Sequence, residues 1–127
     1  MTTGPMAEVL QKAKRARDAA AHLALMSRAE KDHALLSMAD ALEAKANVIL
    51  AANADDVDNA KQRRMSSAPI DRLLLNAGRI SEMADGLRSV ARLADPVGEV
   101  LTGWRLPNGL EIAKVRVPIG VVGIIYE

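Results

Sequence analysis

No glycine or proline interrupts residues 7–67. A stretch that long without either chain-breaking residue leaves little material for turns and reads as helix. Its apolar positions agree. Leu10, Ala13, Ala20, Leu23 and Ala24 form a weak stripe, flanked by Lys12, Lys14, Arg15 and Arg17. Ser27 and Glu30 have the spacing of a capping box, which predicts a helix start there. Leu35, Ala39, Leu42, Ala46 and Ile49 follow at steps of three and four, so they share one face, widened by Leu36, Met38 and Leu50. Asn53 and Asp56 repeat the capping spacing and predict a kink or restart near Ala54, with a short helix to about Arg64.

Ser66, Ser67, Ala68 and Pro69 make a stop-and-start signal, because proline fits the first turn of a helix. Ile70, Leu73, Leu74, Ala77, Ile80, Ala84, Leu87 and Ala91 then keep the helical period for about six turns. Arg72, Arg79, Glu82, Asp85 and Arg88 take the wetter side. At Asp95-Pro96 the pattern changes. Two extended segments, 98–106 and 110–117, flank Asn108-Gly109, the strongest short-range hairpin signal. Leu110 and Ile112 share one face of the second arm and Val115 and Val117 the other, a parity switch near Ala113 that predicts a bulge, a bend or an arm that changes partners. Beyond Pro118, Val121 to Ile125 reads as a strand buried on both faces, as in helix-covered parallel sheets. Such a strand needs a neighbour, and a crossover to a parallel one takes a dozen or more residues. The chain is therefore expected to be the opening of a larger α/β protein.

Composition narrows the chemistry. With no cysteine, these residues have no disulfide, thiolate nucleophile or cysteine-bound metal. Two histidines exclude a self-contained three-histidine zinc site. Seventeen basic against sixteen acidic side chains give no support to a nucleic-acid surface. The longest apolar run, Ile119 to Ile125, is too short to span a bilayer. No membrane, no metal and a cytoplasmic location are expected.

One ordered series is more specific than any of these patterns. It comprises Asp40-Ala41-Leu42-Glu43, the run Leu50 to Asp56, and Asp71-Arg72-Leu73-Leu74-Leu75-Asn76. Met83-Ala84-Asp85-Gly86-Leu87, Asp95-Pro96-Val97-Gly98-Glu99-Val100 and Arg105-Leu106-Pro107-Asn108-Gly109-Leu110 follow, then Lys114 through Glu127. The series resembles the gamma-glutamyl phosphate reductases, also called glutamate-5-semialdehyde dehydrogenases. The likeness runs from about Ala13 to the end. It departs at 62–70, where Arg63, Arg64 and Met65 stand in place of the glycine-containing linker the family leads one to expect.

The resemblance implies an α/β, aldehyde-dehydrogenase-like fold. Residues 1–6 would be a flexible terminus and 7–96 the helical first part of the nucleotide-binding domain. Residues 97–117 would form a β arm, a candidate oligomerisation element, and 118–127 the first strand of the nucleotide-binding sheet. In that family a cysteine thiolate attacks the acyl phosphate of L-glutamate 5-phosphate. NADPH then reduces the thioester to L-glutamate 5-semialdehyde, a step of proline biosynthesis. A homo-oligomer, with a dimer favoured, is implied as well. No catalytic residue falls within these 127, so the chain alone is expected to be inactive.

Ile124, Ile125, Tyr126 and Glu127 match the family block at the carboxyl end of the first strand, where ligands of open α/β sheets bind. The resemblance places them near the nicotinamide ribose; an ordinary core strand with a plain exit is the other reading. Gly120 and Gly123 are no dinucleotide fingerprint and are read as close-approach positions. His22 and His33 are read as surface histidines, Asp55, Asp56 and Asp58 as capping and solvated acids, and Lys12 to Arg17 as a solvated face. Trp104, Leu106, Leu110 and Ile112 either build an interface or fold back on the chain's own helices. Two further accounts stay open: another aldehyde-dehydrogenase-like reductase of acyl phosphates or thioesters, and a helical interaction domain with no enzymatic parent.

Overall fold

The computed structural model describes residues 4–125. Five helices come first: α1 (Pro5–Leu23), α2 (Arg28–Ala44), α3 (Ala46–Gln62), α4 (Ser67–Leu73) and α5 (Ala77–Ala91). Strands β1 (Val100–Arg105) and β2 (Glu111–Val115) follow. The chain divides into two compact units. One is Ala29–Leu93; the other combines the segments on either side of it, with α1 and the two strands.

The helical unit has a core of small side chains. Ala39 of α2, Val57 and Ala60 of α3, and Ile80, Ala84 and Ala91 of α5 are buried. Helix α2 begins one residue after Ser27, where the capping-box spacing put it. The expected restart near Ala54 does not occur: α3 runs unbroken through Asn53 and Asp56. The break lies earlier, at Lys45 (φ −102°, ψ 13°). Lys45 still donates its N–H to the Ala41 carbonyl at 3.1 Å, and its own carbonyl accepts from Val48 at 3.0 Å and Ile49 at 3.1 Å. The helix axis can therefore jog here with the backbone bonds kept, which is why apolar spacing alone carries no trace of it.

Asn53 caps nothing because its side chain is used elsewhere. It is 8% exposed. Its Nδ2 donates to the Leu73 carbonyl at 2.9 Å, and its Oδ1 accepts from the Leu75 N–H at 2.8 Å. This corrects the six-turn helix expected over 70–91. The chain leaves the helix at Leu74 (ψ 124°) and restarts at Ala77, with Asn76 Oδ1 accepting from the Arg79 N–H at 2.8 Å. The Arg79 guanidinium donates to the carbonyls of Asp71 and Leu74. Leu74 and Ala77 are exposed rather than buried, and Leu73 and Leu75 are half-buried.

Helix α3 ends in a turn that normally takes glycine. Arg64 has φ 56°, its N–H donates to the Lys61 carbonyl at 2.9 Å, and the Met65 N–H reaches back to Ala60 at 3.2 Å. The place where the sequence departs from the family pattern is thus the place where an arginine occupies a left-handed conformation.

In the other unit, α1 has no buried residue. It starts at Pro5, inside the stretch expected to be a flexible terminus. The strands form the expected antiparallel hairpin, with Trp104 opposite Ile112 and Gly103 opposite Ala113. Gly109 turns the chain with φ +89°, and Leu110 N–H donates to Asn108 Oδ1 at 3.1 Å. The irregularity falls between Val100 and Thr102 on β1, opposite Val115 and Lys114, rather than at Ala113 on β2. One extra residue on either arm switches the parity of the pairing, so the sequence signal could not say which arm holds it. Beyond β2, Arg116 and Glu99 continue the pairing through a backbone bond at 3.0 Å and a salt bridge at 2.8 Å.

Candidate functional site

Proline at 118 ends the pairing, since it has no N–H to give, and Gly120 turns with φ +93°. Val121 to Ile125 then form no regular element and pair with no strand among the described residues. Ile124 is 64% exposed and Ile125 92%. Tyr126 and Glu127, the other two candidate cofactor contacts, lie outside the described residues. The two described candidates are adjacent isoleucines, whose only polar groups are backbone.

Elsewhere, His22 in the last turn of α1 and His33 in α2 are exposed. Asp55, Asp56 and Asp58 lie inside α3, all exposed, and Asp58 pairs with Lys61 at 3.2 Å. Among the described residues no group of three or more His, Cys, Asp or Glu side chains gathers as a metal site requires. Lys12 pairs with Glu8 at 2.7 Å along an exposed helix face. Trp104 and Leu110 are exposed, with Leu106 and Ile112 half-buried, so the hairpin carries an open apolar face.

The strongest electrostatic feature was not singled out in the sequence. Arg88 of α5 binds both oxygens of Glu43 on α2, at 2.9 and 2.7 Å, with Asp40 at 3.0 Å and Asp85 at 3.3 Å. Those hydrogen bonds hold Glu43 below the usual carboxylate range and raise Arg88 above its ordinary value. Asp85, three residues before Arg88, was legible; Asp40 and Glu43 carried no signal of the pairing. The cluster joins two helices and is structural. Beside it, Met38, Ala41, Leu42, Lys45, Val48, Ile49 and Leu87 line an apolar groove of about 380 Å³.

These helices and the antiparallel hairpin are the start of an aldehyde-dehydrogenase-like nucleotide-binding domain. The gamma-glutamyl phosphate reductase of Thermotoga maritima superposes with a TM-score of 0.84 at 43% identity, over 88% of this chain and 27% of that one. The Saccharomyces cerevisiae protein of the same name gives 0.76 at 37% identity, over 85% of this chain and 28% of that one. In sequence, the gamma-glutamyl phosphate reductase of Moorella thermoacetica is 56% identical over 120 residues, and that of Thermobifida fusca 53%. Each alignment takes in 94% of this chain and 29% of the relative. No family model matches the chain. Across those 120 residues the chain is homologous to gamma-glutamyl phosphate reductase. It spans less than a third of the length of the curated relatives it matches.

Proposed function

We propose that this chain belongs to an NADPH-dependent reductase that converts L-glutamate 5-phosphate to L-glutamate 5-semialdehyde and phosphate, in the proline pathway of the cytoplasm. The 56% identity to a gamma-glutamyl phosphate reductase across nearly the whole chain carries this reading. It favours that substrate over those of other aldehyde-dehydrogenase-like reductases, and it counts against a helical module with no enzymatic parent. Among the described residues no helix is long and apolar enough to cross a membrane. The exposed face around Trp104 and Leu110 supports a homo-oligomer, with a dimer favoured, and the 118–127 segment is assigned to the nucleotide-binding sheet.

Reduction of an acyl phosphate through a sulfur ester needs a thiolate. These 127 residues contain no cysteine, so the nucleophile comes from elsewhere in the protein. Nicotinamide supplies the hydride chemistry. Ile124 and Ile125, in the segment assigned to the nucleotide-binding sheet, are the described residues given to its side of the site. The convenient assay runs backwards: phosphate-dependent oxidation of glutamate semialdehyde with NADP. A full-length protein containing this chain is expected to catalyse it, and replacing its catalytic cysteine with alanine to abolish it. The purified 127-residue chain should show no turnover above a protein-free control. Failure of the full-length protein to react would overturn the assignment.

A further inference from the structure

We infer that residues 67–91 have a second conformation, a single continuous helix, and that Asn53 is the latch that holds them as two. Apolar spacing runs without a slip through Ile70, Leu73, Leu74, Ala77, Ile80 and Ala84, across the break itself. The residues at the break are Leu74, Leu75 and Asn76, and none is a proline or glycine. Leucine is among the better helix formers. The local signals are the cap at Asn76 and the glycine at 78, which serve the start of α5 rather than the end of α4.

The backbone bonds show what does. In a continuous helix the N–H groups of Leu75, Ala77 and Arg79 would donate to the carbonyls of Asp71, Leu73 and Leu75. In the structure a side chain stands in for most of these. Leu75 N–H goes to Asn53 Oδ1 and Leu73 carbonyl to Asn53 Nδ2. The Asp71 carbonyl goes to the Arg79 guanidinium, and Arg79 N–H to Asn76 Oδ1. Glycine at 78 leaves room for that last bond, since a Cβ there would lie 3.2 Å from the Asn76 oxygen. Four of those six backbone groups therefore keep a partner in the broken arrangement, each through a side chain. Asn53 supplies two of its bonds from a buried position twenty residues away.

The two arrangements differ in which leucine faces inward. As it stands, Leu75 is half-buried and Leu74 is 42% exposed. Closing the helix would bring Leu74 onto the stripe of Ile70, Leu73, Ala77 and Ile80 and rotate Leu75 away. Release of the latch therefore re-aims α4 and exchanges the side chains it presents.

Asn53→Leu tests this in the 127-residue chain, because it removes both latch bonds while keeping similar bulk. The readout is the Cα chemical shifts of Leu74 to Asn76 by NMR, with amide exchange at Leu75 and Ala77. In the unmodified chain those shifts should be non-helical. In Asn53→Leu they should turn helical, and Ala77 exchange should slow at least about tenfold. A folded Asn53→Leu chain whose shifts stay non-helical overturns the inference. Should that variant fail to fold, Asn53→Ala decides, since it also removes both latch bonds and alanine is the best helix former inside α3. Helical shifts at Leu74 and Leu75 in Asn53→Ala uphold the latch; shifts that stay non-helical reject it.

Discussion

Arg88 reaches across 45 positions of sequence to hold both carboxylate oxygens of Glu43 in a two-pronged grip. It ties the end of α5 to the end of α2, and it is the main charged fastening of the helical unit. Its effect on stability has a defined sign. Glu43 is held below its ordinary pKa of 4.5, chiefly by the Arg88 hydrogen bonds. The stabilisation is therefore present above that value and is lost as the pH falls through the lower, folded-state pKa. Glu43→Gln should flatten the acid limb of a stability–pH curve below about pH 4.5 and weaken its salt dependence. Urea melts across that range, with and without added salt, check it.

The buried and exposed positions around the α4–α5 joint should separate cleanly. Ile80 is 2% exposed, and Ile80→Ala should cost about 2–5 kcal/mol. Leu74 is 42% exposed, and Leu74→Ala should cost well under half of that, within about 1 kcal/mol. Chemical denaturation of both variants gives the comparison. Equal losses would contradict the observed break.

Arg64 offers a stabilising change. Its φ of 56° is uphill for any side chain by about 1–2 kcal/mol, partly offset by the greater unfolded-state freedom of glycine. Arg64→Gly should raise stability by about 0.5–1 kcal/mol net. A lower melting temperature in that variant would refute the left-handed turn.

The hairpin turn should respond the other way. Gly109 has φ +89°, so Gly109→Ala should strain the turn by about 1–2 kcal/mol. Loss of cross-strand NMR contacts between Trp104 and Ile112 would report it.

Exchange at the end of the chain should depend on the rest of the protein. Val121 to Ile125 are exposed and unpaired here, and their amides should exchange fast in the 127-residue chain. In a full-length protein that contains this chain the same amides should become protected by neighbouring strands. Equally slow exchange in a monomeric 127-residue chain would contradict this.

What could be read from the sequence was whatever is decided locally. Asn108-Gly109 fixed the hairpin, Ser27 marked the start of α2 and Pro69 fell in the first turn of α4, each within a few residues of its effect. The break at Leu74 was legible only in Asn76, a capping residue type at the start of α5; Asn53, which bonds both sides of it, sits on another helix. The Arg88 partners Asp40 and Glu43 were hidden because they, too, sit on another helix. Bulge placement failed differently: pairing parity is shared by two strands, and one strand's pattern cannot assign it. For the candidate site, the ordered motif series carried the family, while periodicity never distinguished Ile124 and Ile125 from any other apolar pair.

The alanines in the core have a practical consequence. Ala39, Ala60, Ala84 and Ala91 are buried where other proteins place leucine or phenylalanine. An alanine scan, which finds a core by deleting from it, would pass over all four unchanged. The interior is vulnerable to addition instead. Extra bulk at Ala39 or Ala84, both 0% exposed, must displace packed neighbours, at about 1–3 kcal/mol for a valine or leucine. Damaging substitutions in this part of the protein should therefore be gains of bulk at its smallest residues.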